Sequence, residues 1–135
     1  MERVEIDELY EDQNGMQRDG IPFTGIAIHH WPNGALESEI EVHEGVCGAS
    51  RDWYDNGQIW NDRKPLEGSK CWIAMRWYPD GNIQKQTISL RGLIVEAKEW
   101  NENGDLIRNY RLQSTDVDSE LWELIQKSWH KPILE

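Results

Sequence analysis

Trp53-Tyr54-Asp55-Asn56-Gly57-Gln58-Ile59 sets an aromatic pair, an Asn-Gly dipeptide and an aliphatic residue within seven positions. The arrangement returns as Trp31-Pro32-Asn33-Gly34, Tyr78-Pro79-Asp80-Gly81 and Asn101-Glu102-Asn103-Gly104, with the glycines 23, 24 and 23 residues apart. An aromatic stands three before the glycine in the first three units. Trp stands four before it at Trp53, Trp77 and Trp100, and an aliphatic follows two after at Leu36, Ile59, Ile83 and Leu106. A second glycine recurs eleven residues later in Glu44-Gly45, Glu67-Gly68 and Arg91-Gly92. Landmarks held at one period mark a structural repeat. Upstream, Asn14-Gly15 and Asp19-Gly20 read as a degenerate leading unit over about 1–21, and the repeats proper run over about 22–112.

Two turn signals per period leave room for two short strands, so each unit reads as a β-hairpin. A three-residue loop, a type I turn closed by glycine in the left-handed conformation, pairs Trp31 with Ala35 and puts Pro32 and Pro79 where their fixed φ suits the turn. In that register Ile26, Ile28, Leu36, Ile40 and Val42 share an inner face, while Ala27, His29, Trp31, Glu37, Glu39 and Glu41 share the outer one. Later units add Cys47, Trp53, Ile59, Cys71, Ile73, Met75, Trp77, Ile83, Ile94, Trp100, Leu106, Tyr110 and Leu112 to the inner side. The third unit is irregular, with Lys85 and Thr87 inward and Ile88 outward, which points to a slip or bulge there. The fold class is mainly β: an antiparallel meander of hairpin repeats, about nine or ten strands, in one domain over 1–135. An apolar sheet face needs a cover. Leu121, Trp122, Leu124, Ile125 and Trp129 at helical spacing predict a C-terminal α-helix over about 117–130, started by a capping box at Thr115 and Asp118 and ended by Pro132.

Composition narrows the function. Leu, Ile, Val and Phe total 29 of 135 residues, close to the disorder boundary, and eight Trp with four Tyr supply the large contact surfaces a fold needs. Fourteen Lys and Arg against 25 Asp and Glu give a net charge of −11. Such a chain is expected to bind neither nucleic-acid phosphates nor anionic membranes, and to favour a basic partner. The acidic start, without an apolar run, carries no signal peptide, and a cytoplasmic protein is expected.

No catalytic motif emerges. Cys47 and Cys71 occupy equivalent positions two strands apart, about 9.6 Å at ~4.8 Å per strand, beyond the ~7 Å that a disulfide spans, so both are expected as reduced thiols. His29 and His30 point to opposite faces, and His43 near Glu41 and Glu44 has no completing ligand, so no metal and no cofactor are expected. Carboxylates are plentiful, but a sheet face offers no cleft in which two of them could flank a bond. The glycines sit at turn period rather than in a phosphate loop.

The Trp-Tyr-x-Asn-Gly core at Trp53–Gly57 resembles the MORN-variant repeat. Pro22-Phe23-Thr24-Gly25 before the first repeat, and Glu99-Trp100-Asn101-Glu102-Asn103-Gly104 at the close, resemble the YwqK-type antitoxin family over about residues 9–112. The pattern departs from that family where Trp72 and Val95 replace the glycine present as Gly25 and Gly48, and where Asn101 replaces the turn aromatic. Such a resemblance implies an antitoxin or immunity protein that neutralises a cognate toxin by binding, without catalysis, and it assigns no site residues.

The residues themselves nominate a face. Trp31, Tyr54 and Tyr78 form a row at the turn ends, and Trp60 lies amid Asp52 and Asp62, beside Glu37, Glu39 and Glu41. Rigid aromatics among acids suit an anchor-and-steer interface with a basic protein, and these nine residues are the candidate partner-binding set. The same residues would also suit a solvated, strand-packed face. A choline- or sugar-binding module, or a general MORN-type scaffold, is the alternative function. The state is a monomer or a dimer paired through an uncovered N-terminal sheet edge.

Overall fold

A computed structural model describes residues 1–128. The chain is mainly β, with one C-terminal helix. Strands β1 (Arg3–Glu5), β5 (Gly25–His30), β6 (Leu36–His43), β7 (Val46–Trp53), β8 (Ile59–Pro65), β9 (Trp72–Trp77), β10 (Ile83–Leu90), β11 (Leu93–Trp100) and β12 (Leu106–Arg111) lie in that order in a nine-stranded sheet. From β5 onward it is the meander that the repeat predicts. Strands β2 (Tyr10–Asp12), β3 (Gly15–Arg18) and β4 (Ile21–Pro22) form a separate three-stranded sheet. Two compact units result, 1–62 and 63–135. Among the described residues no helix is long and apolar enough to cross a membrane.

The Asn-Gly or Asp-Gly turns of the four repeat units adopt the three-residue loop. Trp31 N–H donates to Ala35 O at 2.7 Å and Gly34 N–H to Trp31 O at 2.8 Å; Tyr54, Tyr78 and Asn101 repeat both bonds in their own turns. Gly34 takes φ +88°, which closes such a loop without a Cβ penalty.

The strands beyond the turns are offset from the simple register by a bulge that recurs. His30 faces Leu36 but His29 faces Ser38, which makes Glu37 the extra residue. Gln84 and Ile107 are the extra residues at the same place in their hairpins. The irregularity expected of the third unit alone is therefore shared with the first and fourth. Its consequence is a change of partners. Ala27 faces Ile40 and Gly25 faces Val42, whereas Ile26 and Ile28 face Glu41 and Glu39. Ala27, expected outside, is 1 % exposed, and Ile26 and Ile28 belong to the opposite face from Val42. In the third unit Ile88 turns inward opposite Ile73 and is fully buried, while Lys85 faces Glu99 on the other side. Of the residues expected on the inner face, Cys47, Ile94 and Leu106 are exposed.

In the first unit the leading residues pack as a cover. β1 adds in parallel to β5, so the edge expected to be open is occupied by a three-residue strand. Val4, Met16 and Phe23 then bury Ala27 and Val42. Asn14-Gly15 brings β3 against the β6–β7 turn, where Met16 N–H donates to Gly45 O and Gly45 N–H to Phe23 O, at 2.9 and 2.8 Å. A Cβ on Gly15 would collide with the Gly45 carbonyl.

In the second unit Cys71, Ile88, Leu90, Val95 and Leu112 form the core with Ile125 of α1 (Ser119–Ser128), and Leu121 and Trp122 pack against them. The helix starts later than its spacing suggests. Gln113 and Asp116 close a capping box around a 3-10 turn at Ser114–Asp116, and Asp118 accepts from Leu121 N–H at 2.8 Å, which caps α1. Trp129 and Pro132 lie outside the described residues.

The β10–β11 turn holds Arg91 at φ +50° ahead of Gly92 at φ +85°. A long side chain in left-handed backbone is strained, and Asn tolerates it better. Arg91→Asn is expected to raise the stability of the second unit by about 0.5–1 kcal/mol, read as a higher urea midpoint with an unchanged slope.

Candidate protein-binding face

The sheet face of the first unit that carries Ile26 and Ile28 also carries most of the nominated acids, but they are not free. Arg3 on β1 meets Glu39 on β6 at 2.7 Å, Arg51 on β7 meets the same carboxylate at 3.9 Å, and Arg51 meets Asp62 on β8 at 3.7 Å. The result is a ladder of alternating charge across the strands. Glu39 and Asp62 side chains are only 19 % and 16 % exposed. Part-exposed pairs of this kind each contribute about 0–1 kcal/mol, so the ladder orders the face more than it stabilises the fold. Glu37 bonds His29 Nδ1 at 2.7 Å. Glu41 is exposed and faces Ile26 across the strand pair.

Asp52 does not join this face. It stands opposite Ser38 while Arg51 stands opposite Glu39, which puts Asp52 on the Ile40 side, where it accepts from Asn61 Nδ2 at 2.9 Å. The correction has the same cause as the others: a one-residue change of register exchanges the faces.

The aromatic row uses its polar tips on backbone. Trp31 Nε1 donates to Trp53 O at 3.0 Å, one repeat along. In the second unit Tyr78 OH donates to Trp100 O at 2.8 Å, again 22 residues on. The turn aromatic thus fastens its hairpin to the next, and its half-buried ring is held in place. Tyr54 and Trp60 lie with ring centroids 6.2 Å apart at 44°, within the range of favourable tilted pairs. Trp60 stands three residues after Gly57, the position that Glu37, Gln84 and Ile107 take as bulge residues. Trp31, Glu37, Glu39, Glu41, Tyr54, Trp60 and Asp62 all fall in the first unit with Asp52, and Tyr78 falls in the second.

The charge follows the same division. Residues 1–62 hold three Lys or Arg against fourteen Asp or Glu, a net −11; residues 63–135 hold eleven of each and are neutral. The entire net charge of the protein resides in the first unit. Sequence reasoning treated charge as a property of the whole chain, and a running count along it would have shown the division. It also missed Arg3 and Arg51, the basic members of the ladder, because their partners are set by strand order.

Among the described residues no three of His, Cys, Asp or Glu come together as a metal site. Cys47 and Cys71 are free thiols. Burial pushes both thiols above their ordinary pKa; Glu11 adds to this at Cys47, and at Cys71 a hydrogen bond with Ser69 opposes it while Glu96 adds to it. Because the thiolate is the nucleophile, iodoacetamide at neutral pH is expected to label Cys47 slowly and faster as pH rises, and to reach Cys71 only after unfolding. Two equally fast labelling events in the native protein would contradict this.

Searches against protein-family models, curated proteins and solved structures found no match.

Proposed function

We propose that this protein is a cytoplasmic antitoxin or immunity protein that neutralises a cognate basic toxin domain by direct binding, with no chemistry of its own. The observation that carries the reading is the concentration of net charge −11 in the first unit, the unit that also holds the aromatics Trp31, Tyr54 and Trp60. A net negative charge speeds encounter with a basic surface, and rigid rings supply contact area at small entropic cost. The resemblance of the repeats to MORN-variant antitoxins supports the same class.

The experiment is co-expression with the toxin, read as rescue of growth, together with direct binding. Glu39 and Asp62 are poor probes, since reversing either would set a lysine against Arg3 or Arg51. Glu41 and Glu44 are exposed and outside the ladder. Glu41→Lys with Glu44→Lys is expected to weaken toxin binding by about tenfold or more, mainly through association rate. Glu102→Lys with Glu123→Lys in the neutral second unit is expected to change it by less than about twofold. Equal effects of the two pairs would sink the assignment to the first unit.

A further inference from the structure

The first unit cannot neutralise itself. It contains three basic side chains, and each is already engaged: Arg3 with Glu39, Arg18 with Glu2, and Arg51 with Glu39 and Asp62. Its two paired histidines, His29 and His30, face Glu37 and Glu5. Eleven negative charges are left over within 62 residues. At low ionic strength like charges repel over a Debye length, about 10 Å at 0.1 M salt, and unfolding lets them separate. The second unit, with equal numbers of acids and bases, carries no such excess.

We infer, on the reading that the partner is a basic protein, that recognition and ordering are coupled: the partner supplies the positive charge that the first unit lacks and thereby stabilises that unit selectively. A ligand that binds only the folded form stabilises it by mass action. Here the gain falls on the unit that carries the repulsion, and salt, which screens the same repulsion, acts in the same direction. The free protein is thus held with less free energy in the unit that makes contact, and partner binding restores it without changing the fold.

Hydrogen exchange of the full chain tests this without the toxin. Amides of β5, β6 and β7 are compared with those of β10, β11 and β12 in about 20 mM and about 0.5 M NaCl, and again at low salt with excess nona-arginine. Exchange in the first group is expected to slow about tenfold under either addition, and in the second by less than about twofold. Glu41→Gln with Glu44→Gln is expected to slow exchange of the first group at low salt, since neutral side chains remove part of the repulsion. Equal slowing in both groups, or no slowing in the first, overturns the coupling. Failure of toxin rescue with the exchange result intact would overturn the antitoxin reading and leave the charge-controlled ordering standing.

Discussion

Ile125→Ala is expected to lower the stability of the second unit by about 2–5 kcal/mol. Ile125 is the fully buried residue of α1, in one core with Ile88, Leu90, Val95 and Leu112 of the sheet. Removing its three outer carbons forfeits their transfer energy and leaves a cavity that a β-sheet floor cannot close. The conservative change Ile125→Val should cost only about 0.5–1.5 kcal/mol. In urea, Ile125→Ala should move the unfolding midpoint to lower concentration with an unchanged slope. A small effect, similar to that of the valine variant, would mean that the helix contributes little to this core.

Gly15→Ala carries the second large effect, in the first unit. Gly15 has φ +97°, and an added Cβ would strike the backbone carbonyl of Gly45. Neither group is the end of a flexible side chain, so the leading hairpin must move away from the β6–β7 turn. That movement strains the Met16 N–H to Gly45 O bond and loosens Met16 and Phe23 over Ala27 and Val42. The combined cost is about 3 kcal/mol or more, from left-handed strain, a weakened buried hydrogen bond and lost packing. Gly57→Ala is the internal control. It has φ +88° but open space around the added carbon, so it carries only the conformational strain, about 1–2 kcal/mol. Equal losses in the two variants would show that the close approach at Gly45 is not what holds the leading hairpin.

The turn chemistry was legible because it is local. In the four repeat units Asn-Gly or Asp-Gly closes a three-residue loop, with proline at the first loop position in two of them, whereas Asp19-Gly20 in the leading segment closes a two-residue loop in which Arg18 pairs with Ile21. The meander followed from the period, because turns so spaced leave hairpins as the economical connection. Ile125 and Trp122 were legible as the buried side of a helix by their spacing. Face assignment was not legible. It depends on whether Glu37, Gln84 and Ile107 are counted as paired residues or as bulges, and one residue of difference exchanges the faces for the rest of the strand.

The candidate site divides in the same way. Acid content, the turn aromatics and the scarcity of basic residues before residue 63 are properties of the sequence. Which acids are neutralised is a property of strand order: Arg3 reaches Glu39, 36 positions away, only because β1 adds to β5 beside β6. By itself the sequence determined a mainly β repeat of hairpins with a helix at its end, because short-range dihedral preferences and hydrophobic spacing act within a few residues. The tertiary structure decided which side of each strand became core, that the leading segment became its cover, and which carboxylates remain unbalanced, because those outcomes depend on pairings between residues far apart in the chain.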